Sequence, residues 1–194
     1  GRGEINTSAY IIKKFLHAWR FLTNYNFPIK SKKNVEHHYD IGEDLYDLFL
    51  DKDHRQYSCA YWKSSKDTLE EAQQNKINHI IKKLNLRPGH RVLDIGCGWG
   101  SMCFEIAKQS ECEVTGITLS ENQYKYCVTK AKELKIDNQC HFELVDYRHL
   151  KGSFHRVVSV GMLEHVGRKF YKTFFRKIND LISIKLLTDE KESL

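Results

Sequence analysis

A chain of 194 residues, 41% hydrophobic and with only two prolines, can bury one good core and an extra helical segment without long linkers. No run of about 18 apolar residues and no leader pattern occurs, which excludes a transmembrane helix and argues against secretion. The formal net charge of +6 is matched by residues 1–33 alone, where seven Lys or Arg face a single acid, Glu4, so a basic arm precedes a neutral domain over residues 34–194.

The chain opens at Gly1, which suggests a processed product or a fragment. Ile11, Ile12, Phe15, Trp19 and Leu22 recur at helical spacing between Lys13, Lys14, His17 and Arg20, giving an amphipathic basic helix over Ser8–Leu22. Such a helix suits an anionic membrane face, or packs its apolar side on the domain with its charges in water. Two short helical pieces separated by Gly42 are expected within Asn34–Leu50, followed by a rigid aromatic segment from Gln56 to Trp62. Tyr61 and Trp62 either line a channel or fill a core.

Asp67 or Thr68 caps the next helix, with Glu70 or Glu71 as the capping-box partner. Leu69, Ala72, Ile77, Ile80, Ile81 and Leu84 form its buried stripe, and Pro88-Gly89 ends it. Val92–Ile95 then reads as a buried strand that runs into Gly96-Cys97-Gly98-Trp99-Gly100 and a helix from Ser101. Glycine tolerates positive φ and lets backbone N–H groups approach a ligand closely, and the helix N-terminus behind the turn favours an anion. Asp94 suits the opposite need, an amino group or a hydroxyl donor. Together they fit a zwitterion such as the methionine end of S-adenosylmethionine. The spacing Gly-x-Gly-x-Gly differs from the dinucleotide fingerprint, and alone it is weak.

Further strands are expected at Glu113–Ile117, Cys140–Val145 and Arg156–Val160. Ser120 caps a helix running to about Leu134, and a last helix spans about Lys169–Ile182. Alternating strands and helices predict an α/β fold with a parallel sheet, whose ligands bind at the carboxyl ends of the strands. Asp94, Thr118–Gln123, Asp146, Tyr147 and Glu164 all stand at such ends. The six cysteines show no metal-ligand spacing, and neither do the ten histidines, so reduced thiols and no metal are expected.

Six motifs occur in one order: His38–Asp40, Tyr57–Tyr61, Leu69–Gln73, Val92–Gly100, Thr118–Gln123 and Val158–Gly167. Together, over roughly Val35–Leu181, they resemble the cyclopropane-fatty-acyl-phospholipid synthase family, which includes the mycolic acid cyclopropane synthases. The resemblance implies a Rossmann-like class I methyltransferase fold with S-adenosylmethionine as cofactor. By motif, Tyr57, Ser58 and the loop of Asp94, Gly96, Cys97, Gly98, Trp99 and Gly100 contact the cofactor's methionine end. Thr118, Leu119, Ser120 and Gln123 border the ribose and adenine, and Asp146 and Tyr147 border the adenine. The implied reaction adds a methylene to a cis double bond of a phospholipid acyl chain. A bicarbonate ion, held by groups matching Cys59 and Glu164, is the implied base. Bland alternatives stand beside these roles: Glu164 as a helix-terminal acid and Cys59 as a small buried hydrophobe, with His165 read as structural.

The implied partners are an anionic membrane surface, phospholipid acyl chains and a second copy in a homodimer, but no nucleic acid. The implied location is cytoplasmic, peripheral to the inner face of the membrane. The family's pattern is expected to continue past Leu181 with further strands, but the sequence gives only a charged tail to Leu194. The sheet is therefore expected to be incomplete on its C-terminal side, with an open edge at Val157–Val160. A small-molecule (amine or phenol) methyltransferase and an inactive truncated product are the alternatives.

Overall fold

The computed structural model describes Tyr46 and residues 48–182. The basic arm, its amphipathic helix, most of the two short helical pieces and the tail from Ser183 lie outside the described residues.

Helix α1 spans Leu69–Leu84. Thr68, in extended conformation, accepts from the Glu71 amide at 3.2 Å, while the Glu71 carboxylate accepts from the Thr68 amide at 2.8 Å. This reciprocal box satisfies two donors that a helix start leaves orphaned. Asp67, the other cap candidate, instead accepts from the amides of Lys63 and Ser64 in the preceding turn. The expected apolar stripe is only partly the buried face. Leu69 is exposed, and Ala72, Gln73, Lys76 and Ile77 are buried. Two of these four are polar because they meet backbone carbonyls and a hydroxyl of the preceding segment.

Four parallel strands follow: β1 (Arg91–Ile95), β2 (Glu113–Thr118), β3 (Cys140–Leu144) and β4 (Arg156–Val158), ordered β3-β2-β1-β4. Between them run α2 (Ser101–Gln109) and α3 (Glu121–Glu133), the latter capped by Ser120 accepting from the Gln123 amide. β4 is shorter than the sequence suggests. Past Val158 the Ser159 hydroxyl donates to the Ile95 carbonyl at 2.8 Å, and the chain then turns away at Gly161 (φ +67). A short α4 (Leu163–Val166) and a 3-10 turn (Arg168–Phe170) precede α5 (Tyr171–Leu181), which lies within the helix expected over about Lys169–Ile182.

Side chains alternate across β1, as a pleated strand requires. Val92 joins the core under α1, α2 and α3 with Ile77, Ile106, Val114 and Phe142. Leu93 and Ile95 join the opposite core with Ile117, Phe154, Phe174 and Leu181. Both faces of the sheet are covered, as parallel sheets demand. On the outer side of β4, Phe154 forms a parallel bridge with Ile182, and its amide donates to the Leu181 carbonyl at 2.8 Å. Among the described residues no helix is long and apolar enough to cross a membrane.

Candidate active site

The strand order reverses between β1 and β4, and a cavity of about 310 Å³ lies over their carboxyl ends. Four segments wall it: the end of β1 with the glycine turn and the start of α2, the irregular stretch before α1, Gln123 of α3, and the Val160–His165 connection after β4.

In the turn Gly96, Gly98 and Gly100 all have positive φ, at +79°, +56° and +82°. The amides of Gly96 and Cys97 both donate to the Ile117 carbonyl at 3.0 Å, and Gly100 donates to the Cys97 carbonyl at 2.9 Å. The Gly98 and Trp99 amides are left as the two of the turn without a backbone acceptor among the described residues. A Cβ on Gly98 would meet nothing within 4 Å, so its backbone faces open cavity. A Cβ on Gly100 would lie 2.8 Å from Cys127 Sγ and from Phe104 Cζ. The first glycine serves access and the other serves packing. Cys97, Cys103 and Cys127 are buried under the turn, with Cys127 Sγ donating to the Gly98 carbonyl at 3.5 Å and Cys103 Sγ to Asp94 Oδ2 at 3.5 Å.

Asp94, 3% exposed, reaches the cavity wall from the end of β1. Burial pushes its carboxyl well above the usual carboxylate range, and the nearby Cys97 adds to this. Bringing a cationic amine to this group would offset that cost and restore its charge.

The stretch from Asp51 to Cys59 forms a strap across the cavity, and sequence reasoning missed what anchors it. Asp51, 1% exposed, accepts from the amides of His54 at 2.6 Å and Gln56 at 2.8 Å. The Gln56 side chain donates to the Ser101 hydroxyl at the start of α2, stitching strap to turn. From α1, Gln73 Nε2 donates to the Ser58 carbonyl at 3.1 Å and Lys76 Nζ to the Ser58 hydroxyl at 2.8 Å. The signal was available, since positions 72, 73, 76 and 77 share one helix face. The Arg55 guanidinium lies 5.4 Å from the Trp99 ring centroid and 4.9 Å from that of Tyr126, within cation–π range.

The strap thereby brings Tyr57, Ser58 and Cys59 into the same wall as Asp94, Gly96, Cys97, Gly98 and Trp99. Glu164 and His165 line it from α4, and Met162 packs on the turn, its Cγ 2.9 Å from where a Gly96 Cβ would stand. Gln123 lines it from α3, with its Oε1 accepting from the Thr118 hydroxyl at 2.8 Å, which aims the side chain and leaves its amide N–H groups as donors. Thr118 and Ser120 lie buried behind Gln123, and Thr118, Leu119 and Ser120 are outside the lining. Gly100 stands behind the wall as the residue preceding α2.

Asp146 and Tyr147 are placed away from the lining. Burial pushes the Asp146 carboxyl up, but hydrogen bonds from Arg148, at 2.9 Å from both its amide and its Nε, prevail and hold it below its ordinary value. Tyr147 sits in the second core, its ring edge-on to Phe174 at 5.1 Å. Tyr61 and Trp62 neither fill a core nor line the cavity. Both are exposed, with Tyr61 stacked on His79 at 5.0 Å.

The wall thus offers two amides for an anion, a buried carboxyl for a cationic amine and an amide donor for hydroxyls. It also holds a thiol and a second carboxylate further along. Those donors fit a zwitterionic, sugar-bearing cofactor, and in this parallel sheet they define a Rossmann-like domain of the class I methyltransferase type. The chain belongs to the mycolic acid cyclopropane synthetase family, whose model matches residues 28–185. It is 45% identical over 157 residues to the cyclopropane-fatty-acyl-phospholipid synthase of Escherichia coli K12, covering 79% of this chain and 40% of that protein. Cyclopropane mycolic acid synthase 3 of Mycobacterium tuberculosis is 39% identical over 142 residues, covering 73% of this chain and 49% of that protein. A crystal structure of a mycolic acid cyclopropane synthase complexed with SAH and CTAB superposes with a TM-score of 0.75. It is 35% identical, over 79% of this chain and 53% of that one. The chain therefore spans less than half the length of these two curated relatives.

Proposed function

We propose that residues 46–182 form the cofactor-binding part of an S-adenosylmethionine-dependent transferase that cyclopropanates unsaturated phospholipid acyl chains. One observation carries this reading: a single cavity wall gathers Asp94, the open face of Gly98, Gln123, Cys59 and Glu164 from four separate segments. S-adenosylmethionine, when bound, supplies the electrophilic carbon.

The Gly98 and Trp99 amides would take the cofactor's carboxylate, and Asp94, with Tyr57 and Ser58 beside it, its ammonium. Gln123 donates to hydroxyls without adding charge. An olefin is a weak nucleophile, so the protein contributes position and exclusion of water more than activation. Met102 and Val160 give the wall its apolar share. Cys59 and Glu164 would hold a bicarbonate ion as the base that removes the proton before ring closure. The acceptor is a chain in an anionic membrane surface, met by Lys13, Lys14 and Arg20 of the basic arm at the inner face of the membrane. A homodimer belongs to the same reading and is checked by sedimentation.

The test is incubation of the protein with isotopically labelled S-adenosylmethionine and vesicles of cis-unsaturated phosphatidylglycerol. Lipid mass spectrometry should show acyl chains gaining one labelled methylene, and vesicle binding should weaken as salt screens the arm. Label appearing only on an added amine or phenol would overturn the lipid reading in favour of small-molecule methylation.

A further inference from the structure

Lys76 is 8% exposed, and a lysine this buried calls for a reason. Its Nζ donates to the Ser58 hydroxyl at 2.8 Å and the Ser58 carbonyl at 3.2 Å. Packing alone does not demand an ammonium there, since the same buried face carries the apolar Ala72 and Ile77. Nor does the carbonyl depend on it, since Gln73 Nε2 also donates to Ser58 O. What the ammonium alone supplies is a fixed donor to the Ser58 hydroxyl and a positive charge under the strap. Ser58 in turn faces the segment that carries Glu164, its Cβ 3.5 Å from where a Gly161 Cβ would stand, and both line the same cavity.

We propose that Lys76 is a positioning residue of the cavity: acting through Ser58, it holds the Tyr57–Cys59 edge in register with the glycine turn and the Gly161–Glu164 segment. The inference rests on the reading of the cavity as an S-adenosylmethionine site. Burial lowers the Lys76 pKa from 10.5 to about 8, against the raising effects of Asp51 and then Cys59, the titratable groups that act on it from the strap. The unfolded chain therefore binds more protons than the folded one between about pH 8 and its ordinary value of 10.5. This group makes global stability rise with pH across that window, because deprotonation relieves a buried charge. The same deprotonation removes the ammonium from Ser58 and loosens the strap. Stability and site order thus move in opposite directions, which a lysine serving only the fold would not produce.

The 194-residue chain and its Lys76→Met and Lys76→Arg variants are compared by thermal melting, by hydrogen exchange of residues 51–60 without ligand, and by calorimetric titration with S-adenosylhomocysteine from about pH 7 to about pH 9.5. Lys76→Met should melt no lower than the parent, yet exchange about tenfold faster in 51–60 and bind about tenfold more weakly. Lys76→Arg, charged throughout, should retain binding and lose the parent's decline above pH 8. A Lys76→Met protein with parental exchange and affinity overturns the proposal, as does one that loses protection throughout the chain with a lowered melting temperature. Faster exchange confined to 51–60 in a protein whose parent binds no S-adenosylhomocysteine keeps the positioning role and removes the cofactor reading.

Discussion

The glycine turn and the strap face the same cavity but are built by opposite means. In the turn, three positive φ angles and two amides tied to Ile117 set the geometry, and what matters is the absence of side chains. In the strap, buried Asp51, Gln73 and Lys76 impose a path on a segment with no regular structure. One wall is specified by backbone freedom, the other by buried polar side chains, Asp51 within the strap and Gln73 and Lys76 reaching in from α1. The turn should therefore fail through sterics and strain, and the strap through unsatisfied polar groups.

Gly100→Ala should produce the largest stability loss. Its Cβ would press on Cys127 Sγ and Phe104 at 2.8 Å while holding a left-handed conformation. Overpacking costs about 1–3 kcal/mol and the left-handed backbone about 1 kcal/mol more. Denaturant unfolding monitored by circular dichroism reads it, and an unchanged midpoint would show that the turn relaxes freely. Asp51→Ala tests the strap instead. Two amides lose a buried acceptor, at a cost of about 1–3 kcal/mol. Faster hydrogen exchange should concentrate at residues 51–60, and uniform loss of protection would mean the strap is part of the core rather than a separate unit.

Asp94→Asn should have the smallest effect on the fold, and of opposite sign. The raised carboxyl pKa means the folded state holds its proton where the unfolded chain releases it. This group's contribution therefore falls as pH rises from the ordinary value of 3.8 toward the raised folded value. The amide lacks that titration, so the variant should melt at or above the parent at neutral pH, with the advantage shrinking toward acid. A variant whose stability relative to the parent is lower at neutral pH than in acid would refute the burial account.

Local chemistry made much of this legible from the sequence. The strands, the Ser120 cap and the glycine turn are each written within a few residues, and they appear where expected. β4 ended early because the Ser159 hydroxyl takes over the Ile95 carbonyl, a contact 64 residues away in sequence. Lys76 and Asp51 were harder to read than the turn, because charged residues read as solvated. Lys76 shares a helix face with Ala72 and Ile77 but finds its partner, Ser58, 18 residues away. Asp51 accepts from His54 and Gln56 in a segment with no periodic pattern. Tyr147 shows the converse. Its place at a strand end suggested a ligand contact, while α5 supplies Phe174 and draws the ring into the second core.

The central claim is that the open face of Gly98 and the buried Asp94 form one binding site for the amino-acid end of S-adenosylmethionine. Calorimetric titration of the parent chain, Gly98→Ala and Asp94→Asn with S-adenosylhomocysteine tests it most directly. A Cβ at Gly98 meets no protein atom within 4 Å, so the fold should feel only about 1 kcal/mol of left-handed strain. Saturable one-to-one binding by the parent, weakened at least tenfold (about 1.4 kcal/mol) in each folded variant, is the predicted result. Equal affinity in all three folded proteins, or no binding by a folded parent, would contradict the account.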